Sequence, residues 1–133
     1  MIRRWLRQLL GVPDVRAIRG AITVPRDEPD AIRDAVLELL QEVRRENRFV
    51  DSEVISAIFT VTPDLTAAFP AETARRAGWD NVPLLCMQEI AVPGGMPRCL
   101  RLLVHVQRDW QAATPRHVYL RDAVTLRPDL VRI

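Results

Sequence analysis

The stretch VRAIRGAITVPRDEPDAIRDAVLELLQEVRREN, residues 15–47, decides the fold because its hydrophobic period changes partway along. Over residues 15–25 the period is two. Ile18, Gly20, Ile22 and Val24 fall on one face, and Ala17, Arg19, Ala21 and Thr23 on the other, as in a strand. Farther on, Ile32, Ala35, Val36, Leu39, Leu40 and Val43 recur at three- and four-residue steps, one apolar stripe of a helix. Asp27, Glu28, Pro29 and Asp30 place acids and a proline where a helix begins, and the pattern ends near Asn47. A strand with one aliphatic face, followed by a helix with one apolar stripe, is a sheet-covering unit. Arg19 therefore points away from that cover.

Downstream, the patterns predict a strand at 56–61, a turn at Pro63–Leu65 and a short helix from Pro70 stopped by Gly78. A strand at 83–90, a Pro/Gly loop around Gly94 and Gly95, a long strand at 98–107, a loop at 108–115 and a last strand region at 116–126 follow. In the long strand Leu100, Leu102, Val104 and Val106 face one way, and Cys99, Arg101, Leu103 and His105 the other. In the last, His117, Tyr119 and Arg121 share a face. The order β-α-β-α-β-β-β describes an α/β or α+β domain, a mixed sheet with helices on one face. The other face must be buried by something, and oligomerisation is the natural solution in a short chain.

Upstream, residues 1–14 (MIRRWLRQLLGVPD) form a separate amphipathic extension to the domain at 15–133. Ile2, Trp5, Leu6, Leu9 and Leu10 make its stripe, predicted to dock on the domain or a partner. The apolar segment is too interrupted for a secretory signal.

Composition narrows the function. A chain of 133 residues that is 48% hydrophobic and 27% charged is one globular domain, with no apolar run of membrane-spanning length. All 19 basic residues are arginine, against 17 acids, and they are scattered among those acids, so neither nucleic acid nor a membrane is an expected partner. With no lysine, Schiff-base and phosphate-loop lysine chemistries are excluded. Cys86 and Cys99 lack CxxC spacing, and His105 and His117 are not near them in sequence, so no metal site is expected and the thiols read as reduced and cytoplasmic. There is no GxSxG, and Gly94-Gly95 alone is a turn.

What remains is a set of polar residues on otherwise small or apolar strand faces: Arg19, Glu89, Arg101 and Tyr119, each from a different strand, with Arg127 just after the last. Guanidinium grips carboxylate bidentately, so such a set suits a small dicarboxylate. Taken singly, each reads equally as a solvent-facing residue on a half-exposed sheet. The residues alone support a small cytosolic domain with strand arginines that binds an anion.

Several segments together carry a resemblance: RAIRGAITV (16–24), FTVTPDLTAAFPA (59–71), VPLLCMQE (82–89), PRCLR (97–101), RHVYL (116–120) and LRPDL (126–130). In order and in spacing they resemble the monofunctional chorismate mutases of the AroH class. The resemblance runs from about residue 15 to 130 and implies a homotrimer forming a pseudo α/β-barrel, with active sites at subunit interfaces. It also implies an enzyme of aromatic amino acid biosynthesis that converts chorismate to prephenate with no cofactor and no metal. By the same resemblance Arg19 would meet a substrate carboxylate and the ether oxygen, and Arg101 would place its charge at that oxygen. Glu89 would accept from the ring hydroxyl, Tyr119 would bind the side-chain carboxylate, and Cys86 would sit near the hydroxyl. Phe69 and Leu126 would wall the pocket, and Arg75 and Arg127 would add positive potential at its mouth. Glu72 departs from the pattern, standing where a lysine is usual. The alternative is a non-catalytic or deaminase-like trimeric ligand-binding protein of similar fold. A simple anion binder, however, has no need of a carboxylate such as Glu89 inside its pocket.

Overall fold

The computed structural model describes residues 3–111 and 113–129. Ile2 of the N-terminal stripe and Leu130 of the last motif lie outside the described residues. The chain runs through α1 (Arg4–Leu9), β1 (Asp14–Thr23), α2 (Pro29–Asn47), β2 (Val54–Val61), α3 (Pro70–Ala74), β3 (Leu84–Gln88), β4 (Cys99–Arg108) and β5 (Val118–Leu120). The five strands form one sheet in the order β3-β2-β4-β1-β5. β4 pairs antiparallel with both β1 and β2, whereas β3 runs parallel to β2 and β5 parallel to β1. The expected mixed sheet with helices on one face is what forms.

The core lies between the sheet and α2. Ile18 and Ile22 of β1, Phe59 of β2 and Leu100, Val104 and Val106 of β4 meet Ile32, Val36, Leu39 and Val43 of α2, all fully buried. Burying each such side chain contributes about 1.5–3 kcal/mol. Gly20 lets the helix come close: a Cβ there would stand 3.1 Å from a Leu39 methyl and 3.4 Å from a Val43 methyl. α2 starts at Pro29 and stops where Arg48 turns left-handed (φ 52°), its N–H bonded to the Arg44 carbonyl.

One expectation changes. The last strand spans three residues, not 116–126. At Arg121 the backbone turns left-handed (φ 55°) and residues 121–125 coil into a tight helical turn. Arg121 thus leaves the face of His117 and Tyr119, and its guanidinium donates instead to Glu38 of α2 (3.2 Å) and the Thr23 carbonyl (3.0 Å). Those bonds offset the cost of a positive φ on a non-glycine residue. In α1, which lies against β1, Leu6 is half-buried, while Trp5 and Leu9 are 60% and 75% exposed. No described helix is long and apolar enough to cross a membrane.

Candidate active site

The uncovered face of the sheet holds a cavity of about 310 Å³ lined by β1, β2, β4 and β5 and by the residue that follows β3. β1 supplies Arg19 and Ala21, β2 supplies Ile58 and Thr60, and Glu89 stands one residue beyond β3. β4 supplies Arg101 and Leu103, β5 supplies Tyr119, and Arg127 closes one side. The period-two alternation explains the grouping. In the β1–β4 and β2–β4 registers Ala21 and Thr60 both lie opposite Arg101, so all three share one face.

At the centre Arg101 Nε lies 3.2 Å from Glu89 Oε1. Thr60 Oγ1 donates to the same oxygen at 2.5 Å. Arg19 is anchored through its backbone, whose N–H donates to His117 Nδ1 at 2.9 Å, just before β5 begins its ladder with β1. Arg127 makes a two-pronged pair with Asp129, at 3.1 and 2.9 Å. The hydrogen bonds from Arg127 hold the Asp129 carboxyl below its usual range against the opposing effect of burial, helped by the charges of Arg127 and Arg19. Two residues before Arg101 on the same face of β4, burial pushes the Cys99 thiol up and outweighs the opposing influence of Arg101, so it stays a neutral thiol at pH 7. Three guanidinium groups and one carboxylate line the cavity, so it is electropositive and suited to a dianion.

Five of the residues singled out from the sequence are thus brought together: Arg19, Glu89, Arg101, Tyr119 and Arg127. Four are not. Cys86 pairs with Phe59 in the β2–β3 ladder and therefore turns to the helix-covered side. Phe69, 69% exposed, lines a groove between α2 and α3 with Glu72. Glu72 itself is paired with Arg76 at 2.9 Å. Arg75 is exposed on the turn after α3. Leu126 lines a separate hollow with Thr23, Met96 and Arg121. The sequence reading passed over Thr60, Ile58 and Leu103, although counting by twos along β2 and β4 puts all three on the face of Arg101. Among the described residues no group of three or more histidine, cysteine or acidic side chains could hold a metal ion.

An α+β domain that covers one sheet face with helices and gathers arginines around one carboxylate on the other has the design of an enzyme working on a small anionic substrate by charge placement. Among the described residues no cysteine or lysine lines the cavity, and its only hydroxyls are those of Thr60 and Tyr119. The model of the type I chorismate mutase family matches residues 15–130, and the chain belongs to that family. It is 53% identical over 117 residues to the chorismate mutase AroH of Thermus thermophilus, covering 87% of this chain and 96% of that protein. To the chorismate mutase AroH of Bacillus subtilis (strain 168) it is 44% identical over 117 residues, covering 87% and 92%. A solved chorismate mutase from Clostridium thermocellum superimposes with a TM-score of 0.76 at 42% identity, covering 83% of this chain and 98% of that one.

Proposed function

We propose that this chain rearranges chorismate to prephenate in the cavity on the open sheet face, as a cytoplasmic enzyme of aromatic amino acid biosynthesis. The observation that carries the reading is the Arg101–Glu89 pair, a fixed cation and a fixed anion 3.2 Å apart in a cavity with two further arginines. The reaction breaks a C–O bond and forms a C–C bond within one molecule, and no proton moves. An enzyme can then help in two ways: by holding the compact conformer in which the two carbons meet, and by stabilising charge that grows in the transition state. Negative charge grows on the ether oxygen, where Arg101 and Arg19 would donate. Positive charge spreads over the ring, which Glu89 would face while accepting from the ring hydroxyl. Tyr119 and Arg127 would hold the carboxylates.

The same reading makes the protein a homotrimer whose sheets pack around a common axis as a pseudo α/β-barrel. Phe69 and Arg75, which are exposed away from the protomer's own cavity, would then complete the cavity of a neighbouring subunit, whereas the Cys86 side chain packs against the core of its own. Leu126 would close over it from the C-terminal stretch.

The test is the loss of chorismate absorbance with purified protein, with prephenate identified by its acid-catalysed conversion to phenylpyruvate. Turnover should survive chelators and show no paired acid and base limbs across neutral pH, because no proton transfer is catalysed. A chain that binds chorismate and leaves it unchanged overturns the proposal.

A further inference from the structure

Among the described residues Glu89 is the one acid of the cavity, yet its own strand does little to fix its side chain. It lies just past β3, an edge strand that pairs only with β2, and its sequence neighbour Ile90 is exposed. Its backbone is tied down, with the N–H donating to the Val61 carbonyl at 2.8 Å. The carboxylate accepts one hydrogen bond, from Thr60 Oγ1 to Oε1 at 2.5 Å, and the same oxygen forms an ion pair with Arg101, whose Nε lies 3.2 Å away. Among the described residues no donor meets Oε2.

We propose that Thr60 is a positioning residue for the rearrangement, holding Oε1 of Glu89 so that Oε2 is offered to the substrate and the Arg101–Glu89 ion pair does not close on itself. The proposal rests on the functional reading above. Thr60 is well placed for the task. It sits inside β2, opposite Met87 of β3 on one side and Arg101 of β4 on the other, so its backbone is fixed by two ladders. Its branched side chain has restricted χ1 freedom, and its single hydroxyl proton goes to one acceptor. A short hydroxyl–carboxylate bond is charge-assisted and stronger than a neutral one.

Without that bond Glu89 has two ways to fail. Its side chain is 26% exposed and can swing towards solvent. Alternatively it can close on Arg101 as a two-pronged pair, the geometry guanidinium and carboxylate prefer. That closure would commit the guanidinium edge meant for the ether oxygen. By occupying one side of Oε1, Thr60 would oppose closure of the pair into that two-pronged geometry. The cation and the anion then act on the substrate rather than only on each other.

The experiment compares Thr60→Val and Thr60→Ser in the full chain. Valine keeps the branched shape and favours a strand but cannot donate, whereas serine keeps the donor. Thr60→Val should lower kcat on chorismate at least about tenfold with KM changed less than about threefold, the loss expected for a hydrogen bond to a charged group. Thr60→Ser should stay within about threefold of the parent in both constants. Side-chain NMR couplings of Glu89 give a readout independent of turnover: one rotamer in the parent and in Thr60→Ser, a changed or averaged rotamer in Thr60→Val. If Thr60→Val keeps kcat within about threefold, or Thr60→Ser is impaired equally, or Glu89 holds the parental rotamer in Thr60→Val, the proposal falls. A parent protein that does not turn chorismate over would sink the functional reading, and the Glu89 rotamers would still decide what Thr60 does.

Discussion

Arg101 occupies a central strand, with β2 on one side of β4 and β1 on the other, so its backbone is among the best-fixed in the sheet. A fixed cation at the ether oxygen meets more negative charge in the transition state than in bound substrate, so it acts on kcat and not merely on affinity. Loss of one preorganised donor typically costs about 2.7–4 kcal/mol, or about 10²–10³ in kcat. Arg101→Ala should lose at least that much. Replacement by citrulline, which keeps the shape and removes the charge, should do nearly as badly, and steady-state kinetics on both proteins checks this. A folded Arg101→Ala enzyme with kcat within tenfold of the parent would refute the electrostatic mechanism. At this scale the sequence was legible wherever charge broke a strand's apolar face, which is how Arg19, Glu89 and Arg101 stood out. Thr60 did not stand out, because a hydroxyl in a β-branched strand residue looks like ordinary strand composition. Its meaning comes from the register that sets it between Glu89 and Arg101. Cys86, Phe69 and Arg75 were singled out by resemblance alone, and no period within one chain could bring them to this cavity.

At the scale of elements, hydrophobic period and helix-start chemistry located β1, α2, β2 and β4 to within two residues at their ends. The end of the sheet was less legible: the alternation of His117, Tyr119 and Arg121 continues on paper, while Arg121 takes a left-handed turn to reach Glu38 and Thr23. Gly78 was read as a helix stop, and its structural demand is stronger than that. It has φ 116°, and a Cβ there would lie 2.6 Å from Asp51 Oδ2. That carboxylate accepts from Arg44 (3.1 Å) and from the indole of the fully buried Trp79 (3.0 Å). Gly78→Ala should therefore destabilise the fold by about 1–3 kcal/mol, from backbone strain and displacement of Asp51, as read by urea unfolding. A second element-scale prediction concerns acid. Burial alone would raise the Asp64 carboxyl, but the Thr62 hydroxyl, the Arg98 N–H and the Arg98 charge together hold it below its usual range. Those bonds tie the turn after β2 to the start of β4, where Arg98 has φ 44°. Because the folded pKa is depressed, the stabilisation is complete above the unfolded value near about pH 4 and is lost as pH falls through the lower folded value. Asp64→Asn should lower the melting temperature at pH 7 and flatten its decline below about pH 4. Thermal scans from pH 7 to 2.5 that keep the parental slope would contradict this.

At the scale of the whole molecule, the helices leave one sheet face open, and that face carries both the cavity and apolar side chains such as Ile58 and Leu103, with Leu85 exposed beside them on the edge strand. In a ring of three, each interface is heterologous: one patch of a subunit meets a different patch of the next. If the Arg101–Glu89 cavity belongs to the first patch and Arg75 to the second, each site draws on two chains. Arg75 is exposed, and among the described residues its side chain makes no hydrogen bond or ion pair, so it is available for that use. Light scattering should then give a trimer, and complementation should show how the sites are shared. Trimers of Arg101→Ala alone lack the catalytic cation at every site, and trimers of Arg75→Glu alone carry a reversed charge at every mouth. When the two chains are refolded together in equal amounts, about a quarter of the sites pair an intact Arg101 with an intact Arg75. Turnover at low chorismate should rise towards a quarter of the parental rate, well above either variant. If each site were built from one chain, no mixture could contain an intact site, and the mixed preparation would show only the average of its two inactive parents.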